Sequence, residues 1–307
     1  MTRSPKLSGK TLAAGHGQGF RPHDRWLAPC RSLKFCRRFL FPFSFSALLL
    51  LMQSCQKEAD SRANAAASNV PVTKITVAAA ADLKYALDEI ILEFEKSHPQ
   101  IDIQASYGSS GNLYAQLSNK APFDMFLAAD LELARKLAQG GQAWEETLFP
   151  YAVGHLVLWV PQSSALDVEQ LGIDVLKNPS IQKIAIANPQ HAPYGRAAEA
   201  ALKHFGVYEA VSERLVLGEN VGQTLQFVES GAADVGIIAR SLALTPAVRD
   251  KGKYWPIPTD AHPALEQGGV ILKWASDRQA CEKFRAFMQD AAGTAILRRY
   301  GFSSPEK

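Results

Sequence analysis

Between Ile75 and Phe94 a strand pattern runs into a helix pattern with no loop between them. Ile75, Val77 and the run Ala78-Ala79-Ala80-Ala81 suit a strand covered on both faces. Leu83, Ala86, Leu87, Ile90, Ile91 and Phe94 then recur at helical spacing. Asp82 stands at the junction, where a side-chain oxygen makes a good N-cap. The alanines leave nothing to cover the backbone, so the first amides of the following helix are bare and form a potential anion site. A buried strand of this kind needs helices on both faces, which restricts the chain to layered α/β folds.

The same alternation continues along the chain. Strands are expected at Lys74–Ala79, Ile101–Ser106, Phe126–Ala129, Lys183–Ala187, Leu215–Leu217, Asp234–Ala239 and Val270–Trp274, with helices between them and two more from Arg278 to Tyr300. This predicts an α/β protein with largely parallel sheets. Tyr151–Val160, closed by Pro161, reads as one long strand crossing between lobes. An internal echo supports two lobes: Ala121–Ala129 and Gly231–Ala239 each join a small-residue turn, an Asp (Asp124, Asp234) and a buried strand. The expected division is a leader over 1–55, a tether over 56–72, one lobe from 73–152 plus 256–307, and a second from 153–255, with a ligand cleft between the lobes.

The net charge of +3 conceals an uneven distribution. Residues 1–55 hold nine of the 33 Lys and Arg and one of the 30 Asp and Glu, leaving 24 basic against 29 acidic residues, a net of −5. The mildly acidic body shows no basic stripe, so nucleic acid is not an expected partner. Arg37-Arg38 precede Phe39–Met52, an apolar run too short for a membrane span, as in an export signal. Cys55 after Ser54 fits a lipidated N-terminus; an ordinary cleavage near Ala63-Asn64-Ala65 is the alternative. Cys281 is the only cysteine of the body and shares a helical face with Phe284, Phe287 and Met288, which makes it a core thiol.

Four loops share one design, a small or hydroxyl residue followed by a helix: Ala81-Asp82, Ser109-Ser110-Gly111, Tyr194-Gly195 and Asn220-Val221-Gly222. Asn220 with Gln223 forms a capping box. Each start offers unpaired N–H groups and a partial positive end, and Ser109, Ser110 and Tyr194 add hydroxyls. Singly, each is an ordinary capped helix. Their repetition on both halves is what suggests a site. None of the four loops holds a Lys or Arg, which suits a compact oxyanion better than a phosphate ester.

At Ala79-Ala80-Ala81-Asp82-Leu83, Tyr107-Gly108-Ser109-Ser110-Gly111, Asp124–Asp130, Asn188–Gly195, Glu219-Asn220-Val221 and Tyr300-Gly301-Phe302, the chain resembles the periplasmic molybdate-binding proteins of ABC importers. The resemblance runs from about Ile75 to Phe302. It implies a two-lobed type II periplasmic-binding-protein fold that is a monomer. The ligand it implies is molybdate, with tungstate as a close mimic, delivered to an inner-membrane ABC permease and its ATPase. It also implies a place in the periplasm or cell envelope, with a lipid anchor at Cys55 if that residue is modified. It puts the oxyanion contacts at Ala81 and Asp82, at Ser110 with Ser109 beside it, at Tyr194, and at the Val221 backbone N–H. A further contact, a tyrosine in some members, falls on Ala239, which has no donor; Tyr194 is inferred to replace that phenol from the opposite side. Many relatives carry Ser, Thr or Asn where Asp82 stands. The expectation is that its carboxylate turns back to cap its own helix while its N–H faces the ligand. No cofactor and no direct metal ligand are implied.

The rival readings are a hydrolytic enzyme and a ligand-sensing domain on the same fold. Gly108-Ser109-Ser110-Gly111 lacks the spacing of a nucleophile elbow. His155, His191, His204 and His262 form no metal pair at helical spacing, and His191 reads as a structural loop residue. The export leader favours a transport receptor over a sensor.

Overall fold

The computed structural model describes residues 72–305. The leader, Cys55 and all of the expected tether except Val72 lie outside them. The described part holds two five-stranded sheets. The first is ordered β2 (Ile101–Gly108), β1 (Thr73–Ala80), β3 (Met125–Ala128), β10 (Leu265–Ile271), β4 (Phe149–Gly154). The second is ordered β7 (Leu215–Gly218), β6 (Ile184–Ala187), β8 (Val235–Ala239), β5 (Leu156–Pro161), β9 (Gly252–Pro256).

The two sheets have the same pairing pattern. In the first, β1 pairs parallel with β2 and β3, while β10 runs antiparallel to β3 and β4. In the second, β6 pairs parallel with β7 and β8, while β5 runs antiparallel to β8 and β9. The sheets are therefore mixed rather than largely parallel. One strand of each sheet runs against the other four, β10 in the first and β5 in the second, and local periodicity described these regions poorly: β9, the partner of β5, is absent from the sequence reading, and β10 begins five residues before the expected Val270. Tyr151–Val160 is two strands rather than one. Val153 and Gly154 stay on the first sheet, Leu156 opens the second, and His155 lies between them.

The echo has a physical basis. Asp124 precedes β3 and takes the N–H of Thr76 (2.6 Å) and its hydroxyl (2.8 Å) on one carboxylate oxygen. Asp234 precedes β8 and takes the N–H groups of Gln182 (2.8 Å) and Lys183 (2.9 Å) in the same way. Each Asp pins the start of its strand to the neighbouring strand of its own sheet.

Strand β1 is covered on both faces. Ile75, Val77 and Ala79 pack with Leu87, Ile90 and Phe94 of α1 (Lys84–Ser97) and with Phe284 of α9 (Arg278–Gln289). Ala78 on the opposite face packs with Phe126 and with Leu113 and Leu117 of α2 (Ser110–Ser118). Cys281 lies within the first of these clusters, and burial pushes its thiol up to about 12, which fits a core thiol and not a nucleophile. Ala80, Ala81, Ala129 and Leu265, from the first sheet and the turns that follow its strands, join the core of the second sheet.

Candidate functional site

Strand β1 does not pass straight into α1. A single 3-10 turn, Ala81–Leu83, stands between them, and its N-cap is Ala80, with no side-chain cap. Asp82 is thus the middle residue of the turn and caps nothing. Its carboxylate crosses the cleft instead. Oδ2 accepts the hydroxyl hydrogen of Tyr194 (3.0 Å) and an Nε2 hydrogen of Gln267 (2.5 Å). Gln267 Nε2 also donates to the Tyr194 oxygen at 3.2 Å. Oδ1 is buried and has no partner.

The expected turn-back of Asp82 onto its own helix is therefore corrected. A capping carboxylate must sit outside the turn in extended backbone, and that place belongs to Ala80, at ψ 140°. Asp82 is only 1% exposed. Burial pushes its carboxyl from 3.8 up to about 6, against the opposing pull of Gln267, Tyr194 and the amides of Asp82 and Leu83. The Tyr194 and Tyr151 phenols are held well above their ordinary range, by burial first and by Asp82 second, so both keep their protons.

The other helix starts arrive at the same place. Ser109 is the N-cap of α2, its oxygen accepting the Asn112 N–H at 3.4 Å. Ser110 Oγ accepts the Ala129 N–H at 2.9 Å, which leaves the Ser110 hydrogen free to donate. Tyr194 is the second residue of α5 (Pro193–His204); Pro193 before it has no N–H, so Tyr194 supplies the first free amide of that helix. Val221 is the first residue of α7 (Val221–Glu229), whose N-cap Asn220 accepts the Gln223 N–H at 3.0 Å, while Gln223 Oε1 accepts the Glu219 N–H at 2.6 Å. The Val221 N–H has no acceptor within its helix.

Ala81, Asp82, Ser109, Ser110, Tyr194 and Val221 all line one small, tightly closed cavity, together with Ala129 and Asn220. Among the described residues, no Lys or Arg lines it. All six sequence-expected positions are thus brought together, from chain segments 28 to 112 residues apart for those of Ser109 and Tyr194 relative to Ala81 and Asp82. Ala239, the last residue of β8, is not part of the lining. Gln267 and Tyr151 are the residues sequence reasoning missed. Tyr151 donates to the Ala128 carbonyl at 2.9 Å. Gln267 sits at a β-bulge, where the register of β10 against β4 shifts between Gln267 and Gly268. The Gly-Gly pair that follows it was the available signal, since paired glycines inside a strand mark an irregularity.

The rim is held by contacts between the halves. The Gly111 N–H donates to the His191 carbonyl at 2.9 Å. Within the second half His191 Nε2 lies 3.1 Å from the Glu219 carbonyl, and across the cleft Asn112 Nδ2 donates to Glu219 Oε1 at 2.8 Å. Arg196 Nη2 pairs with Asp130 Oδ2 at 2.7 Å, and Ser241 Oγ donates to the Asp82 carbonyl at 2.8 Å. His191 is a loop residue bridging two segments, as expected. Two glycines make the approach feasible. A Cβ on Gly111 would lie 2.3 Å from the His191 oxygen, and one on Gly154 would lie 2.1 Å from the Tyr194 hydroxyl.

Known proteins resemble this chain in sequence and fold. Residues 75–303 match the family described as bacterial extracellular solute-binding protein. The molybdate-binding protein ModA of Azotobacter vinelandii is 34% identical over 229 residues, 75% of this chain and 89% of that protein. The ModA of Rhodobacter capsulatus is 34% identical over 197 residues, 64% of this chain and 75% of that protein. The solved structure of the Azotobacter vinelandii periplasmic molybdate-binding protein superposes with a TM-score of 0.71 at 33% identity, covering 76% of this chain and 100% of that one. The sulfate-binding protein SubI from Mycobacterium tuberculosis H37Rv shares the fold alone, with a TM-score of 0.61 at 16% identity over 76% of this chain and 88% of that one. With twin mixed sheets, a crossing at His155 and helix starts gathered on one cleft, this chain belongs to the bacterial extracellular solute-binding proteins.

Proposed function

We propose that this protein captures molybdate in the cleft between its two sheets and delivers it to an ABC importer, a membrane permease with its ATPase. Tungstate, of the same charge and shape, is proposed as a second ligand. The observation that carries the reading is the convergence of four helix starts on one small cavity with no cationic side chain in its lining. Neutral donors recognise a compact oxyanion there: the Ser110 hydroxyl and the amides of Ala81, Asp82, Tyr194 and Val221. Each helix start contributes ~0.3–1 kcal/mol when exposed and up to ~2 when partly buried. The relatives named for molybdate are the most alike in sequence among those compared above, which supports molybdate over sulfate.

The same reading makes Ala81, Asp82, Ser109, Ser110, Tyr194 and Val221 the ligand-contacting set, with Gln267 holding Asp82 from behind. It also places the protein outside the cytoplasm as a receptor and not a catalyst. Calorimetric titration of the purified protein with molybdate, tungstate, sulfate, phosphate and acetate tests it. Saturable binding of molybdate and tungstate at one site, with none of sulfate, is the expected outcome. No binding of any of these anions overturns the proposal.

A further inference from the structure

Asp82 presents a conflict that the proposed function does not resolve. A carboxylate lines a cavity proposed to hold an anion, and among the described residues no Lys or Arg shares that lining. Its two oxygens are not equivalent. Oδ2 is occupied by donated hydrogens from Tyr194 and Gln267. Oδ1 is buried without a partner on a residue only 1% exposed. Tyr194 has one hydroxyl hydrogen, and Asp82 takes it. Oδ1 is therefore the carboxyl oxygen left free to carry a proton.

The neighbours offer no other neutralisation. Of the charged groups on the elements packed against the turn, Lys84 of α1 pairs with Asp88 at 3.2 Å. Glu219 and Glu229 flank α7, and Glu219 is engaged with Asn112. Arg240 opens α8 (Arg240–Ala243), and the contact of that helix with Asp82 is made by Ser241. Tyr151 and Tyr194 are the titratable groups acting on Asp82 from the sides, and both stay protonated.

We propose that Asp82 Oδ1 shares a proton with the bound oxyanion, so that this site takes up one proton from solvent for every tetrahedral dianion it captures. The inference rests on the proposed oxyanion function and adds its proton stoichiometry. The proton lies between Oδ1 and a ligand oxygen; whether the pair is counted as a neutral carboxyl with a dianion or as a carboxylate with a monoanion, the charge balance is the same. The upward displacement of the carboxyl to about 6 brings that proton within reach near neutral pH. A consequence is selectivity by proton affinity as well as by size, since an oxyanion whose oxygens hold protons weakly relies wholly on Asp82 for this proton.

Two measurements on the purified protein decide it. Molybdate affinity is measured from pH 6.5 to 8.5, and calorimetry at pH 7.5 is repeated in two buffers of different ionisation enthalpy. The expected result is an affinity that falls about tenfold per pH unit and close to one proton taken up per molybdate. For Asp82→Asn, whose amide carries its own donor hydrogens, the expected pH slope is flat and proton uptake close to zero. Molybdate binding by the unaltered protein with a flat pH profile and no proton uptake overturns the inference and leaves the proposed function standing. Retention of the full slope by Asp82→Asn also overturns it. Absence of binding of molybdate and every other oxyanion at all pH values overturns both. The buffer comparison needs no variant and decides the matter even if Asp82→Asn fails to fold.

Discussion

At the scale of single residues, Asp82 and Tyr194 are the most informative positions. Two unit charges 4 Å apart interact by ~4 kcal/mol at an effective dielectric constant of 20, and a dianion roughly doubles this. A hydrogen bond to a charged group returns only ~1.5–3 kcal/mol. An ionised Asp82 beside a dianion would thus offset the gain from two or more of the site's donors, which is the physical pressure behind a shared proton. Tyr194 serves the site chiefly through Asp82, because its only hydroxyl hydrogen is donated to Oδ2. Tyr194→Phe should accordingly tighten molybdate binding at pH 7.5, by up to about tenfold per pH unit that the Asp82 midpoint rises. It should also move the midpoint of the pH profile upward, since the carboxylate loses one of the donors that pull it down. Calorimetry across pH reads both effects, and an unchanged dissociation constant with an unchanged midpoint would remove Tyr194 from the site. The residues that gather at the site were legible in the sequence because capping and small residues act within a few positions, although the cap expected of Asp82 did not form. The partners of Asp82 were not: Tyr194 is 112 positions away and Gln267 is 185.

At the scale of elements, the helix starts work because their first turns approach one another closely. The α2 start meets the loop before α5 through the Gly111 N–H and the His191 carbonyl. A methyl group at Gly111 would lie 2.3 Å from that oxygen, and the obstructing atom is backbone, which cannot rotate aside. Gly111→Ala should therefore separate the two loops and weaken molybdate affinity by about tenfold or more, equivalent to about 1.4 kcal/mol. The fold itself should survive, because Gly111 lies in the first turn of α2, where alanine is a good helix former. Circular dichroism with a binding titration tests this, and wild-type affinity would show that the loops need not meet. Elements also mark where sequence reading failed. The short buried strands β3, β6 and β8 were found because each is a compact apolar run after a turn signal. Strand β9 was missed because all but its last residue, which is exposed, are half-buried, so it shows no clear alternation. The start of β10 was missed because its bulge breaks the two-residue period at Gln267.

At the scale of the whole molecule, two sheets of one topology face a common cleft, and polar contacts bridge it. The Asp130–Arg196 pair is the clearest of these, at 2.7 Å with both side chains partly exposed. A pair with that much solvent contributes ~0–1 kcal/mol. Arg196→Ala should accordingly leave the fold intact and speed molybdate release by a factor of about two to five. Stopped-flow dissociation tests it, and an unchanged release rate would show that the pair does not hold the cleft shut. The sequence by itself determined the alternation of strand and helix, the two-part echo with Asp124 and Asp234, and the loops that open helices near Ser109, Tyr194 and Asn220. All of these depend on periodicity, capping and turn chemistry, which act over short stretches of chain. Only the tertiary structure decided the reversed direction of β5 and β10, the presence of β9, the break at His155, and the partners of Asp82. Strand direction and the surroundings of a buried side chain depend on which distant segments arrive beside it, and a carboxylate withdrawn from water takes whatever donors that packing supplies.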